Sequence, residues 1–223
     1  MKSLVRCLVW LTVGAAALEG TGTAQSLEDS VCGLGIYDEN SELEDSRIAV
    51  DRSRSRYEAY EKIFRMIEGL WDGRAIPRME YIKAKYDQDA ARLDLERNSF
   101  MLERQAALVE QYRLICRRLQ GSGSGLEQEL RDAHLRYRKA DCDALAKGIE
   151  VAAANLEYNR EYLANILRLR KENFATDVQV VLAELDVELE EKSLADAERR
   201  ASVCRADLAE MKQGASASVP SHP

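Results

Sequence analysis

Long amphipathic stretches alternate along the chain with short gaps rich in helix breakers. Ile48, Tyr57, Tyr60, Ile63, Phe64, Ile67 and Trp71 recur at three-to-four spacing, the mark of a helix with one apolar face. Upstream, Ser41-Glu42-Leu43-Glu44 has the form of a capping box, in which the serine oxygen accepts an orphan amide and Glu44 reaches back. A first helix is therefore expected from Ser41 to about Leu70. The stretch Trp71-Asp72-Gly73-Arg74-Ala75-Ile76-Pro77 ends it, because Gly73 can take positive φ and Pro77 suits the first turn of the next helix. A second helix is expected from about Pro77 to Leu119, with a seam through Met79, Ile82, Tyr86, Ala90, Leu93, Phe100, Leu108, Tyr112 and Ile115. Gly121-Ser122-Gly123-Ser124-Gly125 reads as a flexible link. A third helix, from about Leu126 to Lys171, has a weak seam near Gly148 and a stronger one at Ala152, Leu156, Leu163, Ile166 and Leu169. At Asn173-Phe174-Ala175-Thr176 a turn is expected, with Thr176 as N-cap; one helix continuing through residue 173 is the alternative. A fourth helix follows from Asp177 to about Met211, and 214–223 reads as a disordered tail.

The expected fold is all-α. Two long antiparallel helical hairpins, 41–120 and 126–213, flank the link at 121–125 and form a four-helix bundle or an extended coiled coil. Composition agrees with this. Only three prolines and twelve glycines occur in 223 residues, and aromatics make up 6%, which argues against sandwiches, barrels and turn-rich α/β folds. Acidic residues exceed basic ones by 39 to 32, for a net charge of −7. A general nucleic-acid binder would need a basic footprint, so no nucleic-acid partner is expected.

The first two dozen residues have the features of a secretory signal. Lys2 and Arg6 form a basic start, Leu8 to Leu18 an apolar stretch, and Gly22-Thr23-Ala24 a small-x-small exit. Cleavage after Ala24 is expected, leaving 25–40 as an N-terminal segment; an uncleaved anchor is the alternative. Cys7 lacks a lipobox context. No later stretch has the roughly 20 apolar residues of a membrane span, so none is expected in the mature chain, which is placed in the periplasm or outside the cell.

Export changes how the cysteines are read. Four remain, Cys32, Cys116, Cys142 and Cys204, an even number in a compartment where disulfides persist. They allow three pairings. In an antiparallel hairpin, facing residues have numbers that sum to about twice the centre of the turn. Cys32 and Cys116 average 74, in the first turn, and Cys142 and Cys204 average 173, in the second. Pairing Cys116 with Cys142 puts the midpoint about six residues off the link, a stagger of about 18 Å at 1.5 Å rise, against a limit of about 7 Å between Cα atoms. The expected disulfides are therefore Cys32–Cys116 and Cys142–Cys204. Cys32 falls before the expected first helix, so its register is the looser.

Candidate chemistry is sparse. No two cysteines have zinc-site spacing. His134 is the one histidine outside the tail, among Arg131, Asp132 and Arg136, and Arg131 occupies the place a Glu-x-x-His pair would need for its acid. The run from Glu184 to Lys192, with five acidic residues, reads as an exposed face, with attraction of divalent cations or a basic partner as the alternative, and the Gly-Ser link lacks the lysine of a phosphate loop. Tyr57, Tyr60, Tyr81, Tyr86, Tyr112 and Tyr137 read as interhelical packing with hydroxyls at the edge. No cofactor, metal or catalytic group is expected.

The two turns are similar to each other. Shifted by 99 residues, Pro77-Arg78-Met79-Glu80-Tyr81-Ile82-Lys83-Ala84 lies against Thr176-Asp177-Val178-Gln179-Val180-Val181-Leu182-Ala183. These residues resemble the helical hairpins of TolC-type outer-membrane efflux proteins, which occur twice per chain with a Gly-x-x-Ser/Thr-x-x-Asp/Glu-Val-Leu-x-Ala-like entry into the descending helix. Here Pro77 stands for Ser/Thr with one extra residue after Gly73, Asn173 stands for glycine, and Gln179 for the acid. The first turn is equally similar to the Gly-Ala-Ile-Ser-like tip of periplasmic membrane-fusion adaptors. No segment has the roughly 9–11 alternating residues of a barrel strand, so the resemblance implies hairpins without a pore. It implies an exported coiled-coil scaffold of the cell envelope, efflux-assembly-like, docking a protein partner or itself. The docking tips would be Gly73, Arg74, Ile76, Pro77, Arg78, Asn173, Phe174 and Thr176. The alternative from another class is a periplasmic helical chaperone or stress sensor that cradles unfolded clients.

Overall fold

A computed structural model of the chain describes residues 21–121 and 125–217. Nearly all of them lie in four helices: α1 (Thr21–Asp72), α2 (Arg78–Leu119), α3 (Leu126–Lys171) and α4 (Asp177–Ala217). Among the described residues there is no strand. The basic start and apolar stretch of the expected signal, residues 122–124 of the link and residues 218–223 of the tail lie outside the described residues.

The expected hairpins form, with two corrections at their ends. α1 begins at Thr21, so the 25–40 segment is helical and the Ser41–Glu44 box lies inside a helix rather than capping one. The reason is tertiary. Half-buried and buried positions continue upstream as Cys32, Ile36, Glu39, Leu43, Ser46 and Val50, and α2 holds them. Gln105 on α2 donates its amide to both the backbone oxygen of Glu39 (3.3 Å) and its Oε2 (2.7 Å). Packing of this kind overrides a four-residue cap pattern. α4 likewise continues past Met211 to Ala217, into the expected tail. Gly214 costs a helix only about 1 kcal/mol, and Ala-Ser-Ala follows it.

The helices pack antiparallel in chain order, α1 on α2, α2 on α3 and α3 on α4. Among the described residues, α1 and α4 share no Cα pair within 8 Å. The bundle is therefore open along one side, and each edge helix has a single neighbour. Both disulfides take the expected pairing, with Cα–Cα distances of 5.8 Å for Cys32–Cys116 and 5.5 Å for Cys142–Cys204.

Hairpin α3/α4 repeats hairpin α1/α2 at an offset of 99 residues. The inward positions of α1 run 39, 43, 46, 50, 53, 57, 60, 64, 67 and 71, alternating steps of four and three. Those of α3 facing α4 run 138, 142, 145, 149, 152, 156, 159, 163, 166 and 170, each 99 higher. The α1-facing seam of α2, from Tyr81 to Tyr112, maps in the same way onto α4 from Val180 to Met211.

Small and polar residues dominate the interior. Ala84 and Ala91 on α2 and Ala133 and Ala140 on α3 are buried at seven-residue intervals, which lets backbones approach closely. Larger side chains gather at the link end, where Leu114, Leu126 and Ala133 form a core cluster capped by Leu130. Elsewhere polar pairs set the register. Asn98 donates to Ser53 Oγ (2.6 Å), and Tyr86 donates to Asn155 Oδ1 (2.8 Å). Lys147 bridges α3 to Glu96 of α2 at 2.8 Å and to Glu150 at 2.8 Å.

That bridge has a pH signature. The Glu96 carboxyl is held below its usual range, chiefly by the hydrogen bond from Lys147. The Lys147 ammonium is held above its own, first by Glu150 and then by Glu96. A depressed acid stabilises the fold above its unfolded pKa and loses that contribution as pH falls through the folded one. A raised base acts in reverse, losing its contribution as pH rises through the folded value. Glu96→Gln is therefore expected to cost up to about 1 kcal/mol at neutral pH after solvent screening. The difference from wild type should vanish in urea titrations below the usual carboxylate range. Independently, Gly148 sits inside α3, and an added Cβ meets nothing within 4 Å. Gly148→Ala is expected to stabilise by about 0.5–1 kcal/mol, raising Tm by about 1–4 °C in a thermal melt.

Candidate docking end at the hairpin tips

The α1–α2 and α3–α4 turns lie at the same end of the array, opposite the α2–α3 link. They are built alike. In the first, the amide of Ala75 donates to the Leu70 carbonyl (2.9 Å) and that of Arg74 to Trp71 (2.8 Å). In the second, Phe174 donates to Leu169 (2.8 Å) and Asn173 to Arg170 (3.1 Å). Each pair of bonds closes a helix C-terminus around one left-handed residue. That residue is Arg74 (φ 55°) in the first tip and Asn173 (φ 62°) in the second. Gly73, expected to take positive φ, instead ends the last helical turn, its amide 3.3 Å from the Gly69 carbonyl. The hydrogen bonds to Leu70 and Trp71 set the position of the left-handed residue, and they place it one residue after the glycine. An arginine there costs roughly 1–2 kcal/mol that a glycine would not.

The entries to the descending helices differ. Pro77 is the N-cap of α2, with φ −65° and ψ 148° and no side-chain cap bond. Thr176 heads α4 in a reciprocal box: its Oγ1 accepts the Gln179 amide (3.3 Å), and Gln179 Oε1 accepts the Thr176 amide (2.8 Å). Arg170 donates to Asp177 at 2.5 Å across the second turn, holding that carboxyl below its usual range. Thr176 thus acts as the expected cap, and Gln179, expected only to stand for the acid of the entry pattern, is the other half of the box.

Behind the tips, α2 and α3 with the end of α1 line a cleft of about 220 Å³. Its walls carry Trp71, Tyr81, Ile82, Tyr86 and Tyr158, with Arg78 and Lys85 on the α2 side and Glu157 and Glu161 on the α3 side. Trp71 stacks on Tyr81 with centroids 5.2 Å apart, and Tyr86 stacks on Tyr158 at 4.4 Å. Burial raises the Tyr86 phenol above its usual range. Glu161 Oε2 is buried in this wall without a hydrogen-bond partner. Of the expected tip residues, Arg78 lines the cleft, Ile76 is half-buried, and Gly73, Arg74 and Phe174 are exposed, Phe174 by 78%. Tyr158 and Glu161 were not singled out from the sequence; the signal for them is the aromatic and acidic pair three residues apart on one face of α3.

A larger hollow of about 580 Å³ lies at the other end, over the Cys32–Cys116 disulfide, between Ile36, Glu110 and Arg113. Both hollows are open to solvent, and the tip cleft is the one lined by an expected docking residue, Arg78. His134 is exposed, and its Nδ1 lies 2.9 Å from the Gln111 amide nitrogen, which donates to it. Among the described residues no group of three or more His, Cys, Asp or Glu side chains is placed to hold a metal ion, and no helix is long and apolar enough to cross a membrane. No protein-family model matches the chain, and neither a curated protein nor a solved structure matches it.

Proposed function

We propose that the chain is an exported, disulfide-stapled scaffold of the cell envelope that docks a protein partner through its hairpin tips. The observation that carries this reading is the pair of matched tips at one end of a long array. They combine a left-handed, exposed Arg74, an exposed Phe174 and an aromatic cleft that has Arg78 at its rim. A non-glycine residue held at positive φ is strained, and strain of this kind concentrates at functional sites. α3, at 46 residues, is about 69 Å long at 1.5 Å rise, a length that suits bridging. Periplasmic or secreted placement rests on the signal-like start and the two disulfides, and an efflux-type assembly rests on the resemblance of the turns. The partner surface that would fit is acidic with an apolar pocket, matching Arg74, Arg78 and Phe174.

Arg74 separates docking from folding. Arg74→Gly is expected to raise stability by about 1 kcal/mol, because glycine adopts positive φ freely. It should nevertheless weaken cross-linking of the tip to its envelope partner. Arg74→Glu with Arg78→Glu should abolish the cross-link while the circular dichroism spectrum stays that of the wild type. Undiminished cross-linking in both variants rejects tip docking.

A further inference from the structure

We propose that α4 of one copy packs against α1 of a second copy, so that the hairpin repeat continues from chain to chain. Both edge helices carry an exposed apolar stripe at the tip end. On α1 it consists of Ala59, Ile63, Met66 and Leu70, and on the α4 side of Phe174 in the turn and Val178, Val181 and Leu185 on the helix. Met66 is 71% exposed and Val178 67%, large values for apolar side chains that recur every three to four residues in continuous rows. The α4 stripe lies on the side of that helix away from its α3 seam, and nothing among the described residues covers it.

The internal repeat says what does. Within one chain, hairpin α1/α2 joins hairpin α3/α4 through α2 and α3, and Tyr86 stacks on Tyr158 at that junction. Advancing Tyr86 by the 99-residue repeat gives Leu185; moving Tyr158 back by the same step gives Ala59. Extending this register toward the tips pairs Val181 with Ile63, Val178 with Met66, and Phe174 with Leu70. Every pair predicted by the repeat falls on exposed apolar residues on both sides, and both rows share the step pattern four, three, four. The junction that α2 makes with α3 is thus available again between α4 and the next chain's α1. Charge agrees with it. Residues 177–191 of α4 hold six acidic and no basic residues, whereas the level segment 53–67 of α1 holds four basic and two acidic. The contact is heterologous, one edge against the other, so it generates rings where the rotation closes and filaments where it does not. It shares no residue with the tip reading except Phe174.

Sedimentation equilibrium of the purified full chain tests this. Wild type is expected to show a mass of two or more protomers. Val178→Glu with Val181→Glu blocks one edge, and Ile63→Glu with Met66→Glu blocks the other. Each variant should sediment as a monomer, its self-affinity down at least about 100-fold, since an unpaired charge enters an apolar contact. Mixed together, the two variants should form a species of one copy each, because each keeps one intact edge. As a check free of the folding of these variants, a Met66→Cys chain mixed with a Val178→Cys chain should give a cross-linked pair absent from either alone. A monomeric wild type at about 100 µM, below which interfaces of standard size associate, overturns the proposal. So does continued association of the Ile63→Glu/Met66→Glu variant, which would mean that α4 pairs with itself. Arg74→Glu should leave the mass unchanged, so failure of tip docking and failure of edge pairing are read separately.

Discussion

Replacing Cys142 and Cys204 together by alanine is expected to lower stability by about 4 kcal/mol, and Tm by about 8–16 °C. The bridge closes a loop of 62 residues, and the chain-entropy relation gives about 4 kcal/mol for a loop of that size. Alanine is the better replacement because both sulfurs are buried, and a serine hydroxyl would enter without a partner. The loss should be regional. Among the described residues α4 packs on α3 alone, and its seam below Ala201 depends on Leu208 and Met211, both only half-buried. Hydrogen exchange should therefore lose protection first in α4, while the α1–α2 pair, held by Cys32–Cys116, keeps it. Reductant, which opens Cys32–Cys116 as well, should lower the Tm of wild type at least as far. A Tm unchanged by both treatments would mean that the staple contributes nothing to the fold.

Much of the architecture was legible because it depends on local chemistry and on counting. Helices α2 and α3 end where the breakers fall, at Pro77, Gly121, Gly125 and Asn173, and the cysteine numbers centre on the two turns because antiparallel helices keep register over long distances. Where local chemistry and tertiary packing conflict, the sequence misleads. Ser41–Glu44 has all the residues of a cap, yet no helix starts there, since Glu39, unremarkable as a letter, binds Gln105 66 residues away. The helix runs unbroken through 39–44 with the help of a contact that no window of twenty residues contains. Gly73 is the better left-handed residue on intrinsic grounds, yet Arg74 takes that role, because the geometry is counted from the Leu70 carbonyl rather than chosen by the glycine.

The candidate site was legible only in part for the same reason. Arg78 and Phe174 could be named from the turns, whereas the cleft depends on α3 bringing Tyr158 and Glu161 against Tyr86 and Lys85, some seventy residues earlier. The open edge is subtler. Val178, Val181 and Leu185 look like ordinary helix residues, and only the placement of the seam at Val180, Ala183 and Val187 shows that they lie outside it. A helix apolar on two sides needs two neighbours, and among the described residues α4 has one.

Leu114→Ala is expected to cost about 3 kcal/mol, the largest effect of any single side chain, and its partner across the seam makes the result diagnostic. Leu114 is 1% exposed and packs with Leu126 and with Ala133, which is fully buried. Truncation leaves a cavity that two long helices joined at the nearby link cannot close by sliding, which places the cost in the middle of the 2–5 kcal/mol range for such changes. The reverse change on the facing helix, Ala133→Leu, is expected to cost about 1–3 kcal/mol by wedging α2 from α3. Made together, the two keep the volume of the layer, so the double variant should be less destabilised than the sum by 0.5–3 kcal/mol, as for residues that share one space. Leu182→Ala, on the exposed side of α4, should change monomer stability by less than about 0.5 kcal/mol. Urea titrations at one protein concentration measure all four. Strict additivity of Leu114→Ala and Ala133→Leu would show that the two side chains do not fill a common layer, and that the small-residue seam rather than the leucine cluster holds the link end together.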